Sequence, residues 1–143
     1  MGDRCNFPQL LARQGLRATA LRLLVLEILG NSARTWTVRD LLTAVRRQRP
    51  ANKVTIYRIL EDFMRLGLVR RLSGAGGAAH YELACEHHPP HPHFHCRDCG
   101  EVQCLEPVPL ERLWRELKGP LGNQAERLEI RVAGVCHKCR KIS

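Results

Sequence analysis

The sequence predicts an α+β fold with a helical, basic front half and a smaller mixed rear half that carries metal ligands. Apolar residues recur at helical spacing through residues 21–66, and two short strand-like segments flank a glycine-rich turn at residues 68–83. Cysteine and histidine then crowd into residues 85–104. At 143 residues the chain is long enough for one domain or two very small ones.

Charge is distributed unevenly along the chain. The formal net charge is +9, and residues 1–83 contribute +8 of it through 14 Lys and Arg against 6 Asp and Glu. A basic front half indicates a polyanionic partner, most often a nucleic acid. Residues 1–10 lack the apolar run of a secretory signal, and no stretch has the length of a membrane span. We therefore expect a cytoplasmic protein whose cysteines bind metal or act as redox thiols.

Helices account for most of the front half. A short helix is expected at residues 7–14, and Thr19 and Thr37 are suited to cap the next two. A further amphipathic helix is expected from about Asn52 to Leu66, with Gly67 in place for a left-handed cap.

A β-hairpin is predicted directly after these helices. Its strands are Leu68–Leu72 and Ala79–Leu83, around the glycine-rich turn Ser73–Gly77. Three helices followed by a hairpin is the order of a winged helix-turn-helix, whose last helix before the hairpin lies in the DNA major groove. Residues 1–84 are therefore predicted to form a DNA-binding domain.

The rear half contains short elements around two cysteine pairs. Strands are expected at residues 94–96, 101–105 and 128–132, and Leu113 and Leu117 belong to the apolar stripe of a helix. So small a unit gains stability from a bound metal and from a partner subunit.

The cysteine pairs themselves predict a zinc site. Cys96-x-x-Cys99 is matched by Cys136-x-x-Cys139 near the end of the chain. Two such pairs supply the four sulfurs of a closed tetrahedral site, each with a tight turn around the ion. We therefore predict a structural zinc ion at these four residues.

Four segments together resemble the ferric uptake regulator family of bacterial metal-dependent repressors. They are Gly15–Arg22, Val54–Leu60 in the predicted recognition helix, Gly67–Val69 at the start of the wing, and His91–Gly100 with its H-x-H and C-x-x-C-G spacing. The resemblance implies a homodimer with an N-terminal winged-helix domain, a hinge at residues 85–92 and a small α/β dimerisation domain at residues 93–143.

The resemblance also implies repression at AT-rich inverted repeats of double-stranded DNA, with metal as co-repressor and with no enzymatic activity or small-molecule substrate. Arg17 stands where the family has a basic residue that enters the minor groove, and AT-rich minor grooves attract arginine. The expected DNA contacts of the recognition helix are Lys53, Thr55, Tyr57 and Arg58. A core position for Tyr57 is the alternative, because its neighbours have helical periodicity.

The sensor site is expected near the hinge. Zinc-sensing members of the family carry a cysteine between the wing and the H-x-H segment, and this resemblance favours Cys85, His91 and His93 as ligands. The candidates for a fourth ligand are Glu82, Cys104 and His80.

Two departures from the iron-sensing pattern favour zinc as the sensed metal. Thr35 stands where iron- and peroxide-sensing members carry a histidine, and Cys104 stands where they carry a carboxylate. Sulfur-containing four-coordinate sites favour zinc over iron(II). Arg70, however, stands where zinc-type members have a ligand, and its guanidinium cannot bind a metal. We predict zinc as the regulatory metal, with iron(II) or manganese as the alternative.

Two rival functions use the same residues. In a redox switch of this fold, Cys85, Cys104 and the CxxC pairs would be oxidised with release of metal. A zinc enzyme would need an open coordination position and a general base, for which Glu82 or Glu101 are candidates. The chain contains no H-E-x-x-H or deaminase motif, so a regulator is favoured.

Overall fold

The computed structural model describes residues 5–31, 34–73, 77–85, 91–109, 111–121 and 128–140, with the backbone alone for residues 118–121. Within these ranges the chain forms six helices and five strands. The helices are α1 (Phe7–Arg13), α2 (Ala20–Gly30), α3 (Val38–Arg46), α4 (Lys53–Arg65), α5 (Glu111–Leu121) and α6 (His137–Arg140). The strands are β1 (Val69–Ser73), β2 (Ala79–Leu83), β3 (His93–Cys96), β4 (Val102–Cys104) and β5 (Arg131–Gly134). None of the described helices has the length and apolar character needed to cross a membrane.

Side-chain caps begin the helices of the front half. In each case the side-chain oxygen of the cap accepts a hydrogen bond from the backbone N–H three residues later in the chain. The N···O distances are 3.2 Å for Thr19, 3.1 Å for Thr37 and 2.8 Å for Asn52. Such caps satisfy N–H groups that have no partner inside the helix, and each contributes about 1 kcal/mol. The predicted caps Thr19 and Thr37 are confirmed.

The wing begins where α4 ends. Gly67 has a φ of 75°, and the N–H of Leu68 donates to the carbonyl of Phe63 at 2.8 Å, which closes the predicted left-handed cap. Strands β1 and β2 then pair antiparallel, from Val69 opposite Leu83 to Ser73 opposite Ala79. The order of α2, α3, α4 and the hairpin is that of a winged helix-turn-helix.

One apolar core holds the helices and the wing together. It draws on all four front helices and on both wing strands, through Leu11, Val25, Leu26, Leu41, Val45, Ile56, Leu60, Phe63, Val69 and Leu83. Because α4 buries one face in this core, its opposite face is exposed to solvent.

The rear half forms a three-stranded sheet in the order β4-β3-β5. Strand β3 pairs antiparallel with β4, and it pairs parallel with β5 from His93 opposite Arg131 to Cys96 opposite Gly134. The predicted strand at residues 128–132 therefore lies later in the chain, because pairing with the four residues of β3 confines it to Arg131–Gly134. Val132 in this strand is 43% exposed.

A short segment connects the two halves. Arg34 forms an antiparallel bridge with Gln103 of β4, and Trp36 forms one with Tyr81 of β2. Thr35 between them is buried. The predicted hinge falls mainly on residues 86–90, outside the described residues, so the domain boundaries at residues 84 and 93 stay predictions.

Candidate metal sites and DNA-binding face

The two CxxC pairs come together at one end of the rear sheet. Cys96 ends β3, Cys99 lies in the following turn, Cys136 directly precedes α6 and Cys139 lies within it. All four sulfurs lie within 4.8 Å of one another, and the Cys96–Cys139 and Cys99–Cys136 sulfur distances are both 3.8 Å. A tetrahedron of thiolates about 2.3 Å from zinc has edges of about 3.8 Å. This set, which we call the four-cysteine group, therefore fits zinc.

Hydrogen bonds prepare the four-cysteine group for a cation. Backbone N–H groups of Cys99 and Cys136 lower the pKa of the Cys96 thiol to about 6, and the Cys136 N–H lies 3.3 Å from its sulfur. Contacts with the neighbouring thiols, that of Cys136 first, raise the pKa of Cys139 to about 12. The thiols therefore cannot all ionise until a cation compensates their charge, and binding of a zinc ion here would release protons.

A second group of potential ligands spans the two halves of the chain. Glu82 comes from wing strand β2, whereas His91 precedes β3 and His93 faces Cys104 across the β3–β4 pair. One ligand atom from each residue lies within 4.8 Å of the others. A metal bound by these residues, which we call the bridging group, would join the winged helix to the rear sheet.

One oxygen of Glu82 is the centre of the bridging group. Its Oε2 lies 2.9 Å from Nε2 of His93, 3.1 Å from Nε2 of His91 and 3.5 Å from the sulfur of Cys104. Only 4% of Glu82 and 3% of His93 is exposed. Two imidazoles and a thiol thus converge on a buried carboxylate, and zinc commonly binds such nitrogen, oxygen and sulfur donors.

Arg70 holds the other oxygen of Glu82. The two residues face each other in the β1–β2 register, and Nε of Arg70 lies 2.5 Å from Oε1 of Glu82. A charge-assisted hydrogen bond of this kind fixes the orientation of the carboxylate. Glu82 is therefore arranged to offer Oε2 to a metal while Oε1 stays with Arg70. The sequence did not reveal this contact, although the register of the hairpin would have indicated it.

These contacts shift the pKa values of the bridging group. Burial would raise the pKa of Glu82, but hydrogen bonds from His91, His93 and Arg70 outweigh it and hold the pKa well below its usual range. Burial would lower the pKa of His93, but contacts with Cys104 and Glu82 raise it to about 9. Burial would also raise the pKa of Cys104, but its contacts with the two histidines lower it. A metal that binds His93 must therefore displace a proton.

Cys85 and His80 lie outside the bridging group, so the structure does not bring these two predicted ligands together with the other four candidates. The sulfur of Cys85 lies 3.1 Å from the sulfur of Cys5. Nδ1 of His80 lies 2.9 Å from the hydroxyl of Thr35, and burial lowers the pKa of this histidine. Cys85 is close to His91 in sequence, but its sulfur packs beside the start of the chain instead. The structure brings together the remaining candidates, Glu82, His91, His93 and Cys104.

The exposed face of α4 carries the residues predicted to bind DNA. Lys53, Tyr57 and Arg58 are exposed, and Thr55 is half-buried beside them. Tyr57 is 40% exposed, so the alternative of a core aromatic does not hold. Arg17 is also exposed, in the segment between α1 and α2. Cationic and aromatic groups on a helix opposite the core suit a recognition helix.

The rear half exposes apolar side chains in the single chain. Leu113 and Leu117 of α5 and Val132 of β5 are 38%, 44% and 43% exposed. The predicted apolar stripe of this helix is therefore present, but it faces outward. Exposed apolar patches of this kind mark association surfaces.

Comparison with known proteins identifies the family. Residues 13–133 match the model of the family described as "Ferric uptake regulator family". The chain belongs to the ferric uptake regulator family. It is 32% identical over 135 residues to the ferric uptake regulation protein of Yersinia pestis, and the match covers 92% of this chain and 90% of that protein.

Solved structures show the same fold. The Vibrio cholerae ferric uptake regulator has a TM-score of 0.73 and 28% identity, with 92% of this chain and all of that chain covered. A zinc uptake regulator complexed with zinc and DNA has a TM-score of 0.63 and 26% identity, with 95% and 91% covered. The predicted α+β fold, with a winged-helix domain followed by a dimerisation domain, is confirmed.

Membership of the ferric uptake regulator family establishes the general activity. The chain is a metal-dependent transcription regulator that binds DNA, and regulators of this family bind DNA as dimers. The chain is therefore not an enzyme, and the rival interpretation as a zinc enzyme is excluded.

Proposed function

We propose that this ferric uptake regulator family member represses metal-uptake genes when zinc occupies the bridging group. The proposal rests on which parts of the chain supply the bridging group: one residue comes from the wing and three come from the rear half. A zinc ion shared by Glu82, His91, His93 and Cys104 would fix the winged helix against the dimerisation domain. The spacing of the two recognition helices in a dimer would then depend on the metal.

A separate structural zinc ion is proposed for the four-cysteine group. Its four thiolates leave no coordination position for a substrate or an additional ligand. The ion would tie α6, near the end of the chain, to the end of β3. Because all four ligands belong to the rear half, this zinc would stabilise that half whether or not the protein is bound to DNA.

Two features of the bridging group support zinc rather than iron(II) or manganese. Cys104 supplies a soft sulfur, and zinc accepts thiolate more readily than manganese does. Arg70 retains one oxygen of Glu82, so the carboxylate is arranged to give a single donor and the site four donors in all. Four mixed donors suit tetrahedral zinc. Iron(II) is the competing assignment, because it also binds a carboxylate with two imidazoles.

The proposed DNA partner is a double-stranded AT-rich inverted repeat. A twofold dimer presents two copies of α4 to two half-sites related by the same symmetry. Tyr57 and Arg58 would contact bases and phosphates in the major groove, with Lys53 and Thr55 beside them. Arg17 would enter a narrow AT-rich minor groove. We place this regulator in the cytoplasm, as expected from the sequence.

The proposed mechanism is a shift between populations. Zinc stabilises arrangements in which the wing and the rear sheet contribute ligands together, so it favours the state with the correct spacing. Changing the ratio of the two states from 1:99 to 99:1 requires about 5.5 kcal/mol of differential binding. The four-cysteine group cannot supply this difference, because its ligands lie within one half of the molecule.

A metal titration tests the proposal. Protein that retains zinc in the four-cysteine group but lacks metal at the bridging group is used to select operators from a random duplex library with zinc present. Operator binding is then followed by fluorescence anisotropy at buffered free zinc, and separately with manganese and with iron(II) without oxygen. We expect zinc at trace free concentrations to induce binding. Induction by iron(II) and not by zinc would overturn the zinc assignment and leave the family assignment intact.

A further inference from the structure

Cys5 and Cys85 form a thiol pair outside both metal groups. Their sulfurs lie 3.1 Å apart although the residues are separated by 80 positions in the sequence. Cys85 is 8% exposed, and Cys5 is half-buried against the core of the winged helix. Among the described residues, neither belongs to a group of three or more potential metal ligands.

We infer that Cys5 and Cys85 are an oxidation site that forms an intramolecular disulfide. A disulfide bond of about 2.05 Å requires these sulfurs to approach by only about 1 Å. Cys5 lies just before α1, and Cys85 lies just after β2. The bond would therefore fasten the N-terminal helix to the start of the segment that leads from the wing to His91.

The reaction needs one equivalent of a peroxide. Cys5 is the more exposed thiol, so its thiolate attacks the peroxide, breaks the O–O bond and becomes a sulfenic acid as one water is released. The sulfur of Cys85 then attacks the Cys5 sulfur and displaces the hydroxyl, which leaves as a second water with the thiol proton. Two thiols are oxidised to one disulfide, and one hydrogen peroxide is reduced to two waters.

Bound zinc would make the other five cysteines less reactive toward peroxide than Cys5 and Cys85. Under the proposed function, Cys104 and the four-cysteine group are zinc-bound, and a coordinated thiolate has its lone pair engaged by the ion. Oxidation of the fully zinc-loaded protein should therefore begin at Cys5 and leave both metal groups filled. The disulfide would close a loop of about 80 residues and restrict the unfolded chain, which should raise the thermal unfolding midpoint.

Peptide mapping tests this inference. The zinc-loaded full-length dimer is treated with hydrogen peroxide, unreacted thiols are blocked with N-ethylmaleimide, and peptides are mapped without reduction. We expect a Cys5–Cys85 crosslink lacking two hydrogens, unchanged zinc content, and a raised unfolding midpoint that dithiothreitol reverses. Cys5→Ser and Cys85→Ser should each lose the crosslink and the stabilisation. Cys104→Ser, the matched control, should keep both.

Several results would overturn the inference. These are a first crosslink that contains Cys99 or Cys104, release of zinc before the crosslink forms, and oxidation of Cys5 that yields no crosslink. If Cys85→Ser fails to fold, Cys5→Ser decides alone, because Cys5 is half-buried before the first helix. The zinc proposal is measured separately by the metal titration, so failure of the disulfide leaves it standing.

Discussion

The two metal groups differ in what they connect. The four-cysteine group takes all its potential ligands from the rear half, at the end of β3 and around α6. The bridging group takes Glu82 from the wing and three potential ligands from the rear half. A metal confined to one half stabilises that half in every arrangement of the domains. A metal shared between halves favours only the docked arrangement, which is what a switch requires.

The two groups also differ in how they can exist without metal. Four thiols whose sulfurs lie within 4.8 Å of one another have no opposite charge among them, so the four-cysteine group depends on a cation. The bridging group already pairs the Glu82 carboxylate with Arg70 and with the His93 imidazole. The first arrangement therefore suits a permanent ion, and the second suits an ion that exchanges.

The largest effect is expected from removing a ligand of the four-cysteine group. Structural zinc contributes about 10–16 kcal/mol in small zinc domains, which is as large as the stability of a typical domain. Cys99→Ser should therefore lose this zinc, the folded rear half and the dimer. Cys99 is exposed, so the substitution itself does not disturb the core. Sedimentation and zinc analysis measure the outcome.

Cys104→Ser is the matched control for Cys99→Ser, because it removes a thiol ligand from the other group. It should keep the dimer and the rear fold. A Cys99→Ser protein that remains a dimer with a native circular dichroism spectrum would show that the four-cysteine group is not structural.

The second prediction concerns the pH dependence of protein that lacks metal at the bridging group. The pKa of His93 is raised from 6.5 to about 9. The stabilisation that protonated His93 gives the folded state is therefore fully present below pH 6.5, and it is lost as the pH rises through 9. This amounts to at most about 3 kcal/mol. Urea unfolding between about pH 6 and 9.5 should show the decline, and zinc at the bridging group should remove it. A stability that does not fall across this range would contradict the proposed network.

The third prediction compares Cys104 with Cys85. Cys104→Ser should weaken zinc-induced operator binding about 100-fold, within the range of typical coupling energies. Cys85→Ser should change it by less than about twofold, because its sulfur lies beside Cys5 rather than in the bridging group. Anisotropy titrations under reducing conditions measure both. The reverse result would restore Cys85 as a ligand and remove Cys104.

The smallest effect is expected from Arg70→Gln. Releasing Oε1 of Glu82 lets the carboxylate supply two oxygens, so the preference for zinc over manganese should narrow by about tenfold, as for other residues that orient metal ligands. The exposed neighbour Arg71 provides the control, because Arg71→Gln should leave the ratio unchanged. Competition titrations and the absorption spectrum of the cobalt(II) form report the change. If Arg70→Gln and Arg71→Gln have the same ratio of zinc affinity to manganese affinity, Arg70 does not determine the metal preference through Glu82.

Local features of the molecule were predictable from the sequence, and long-range ones were predictable only in part. Thr19 and Thr37 cap helices through contacts three residues away, and the four-cysteine group follows from two fixed CxxC spacings. The bridging group requires the wing to dock against the rear sheet, and no local pattern encodes that docking. The resemblance to zinc-sensing members therefore favoured Cys85, whereas the β3–β4 register places Cys104, one of the candidates for a fourth ligand, opposite His93.

Anomalous diffraction from crystals grown with zinc tests the central claim most directly. Data collected above and below the zinc absorption edge locate zinc without reference to the protein coordinates. Our account predicts two peaks in each chain, one inside the four-cysteine group and one between Glu82, His91, His93 and Cys104. A single peak, or a second peak coordinated by Cys85 and not by Cys104, would contradict it.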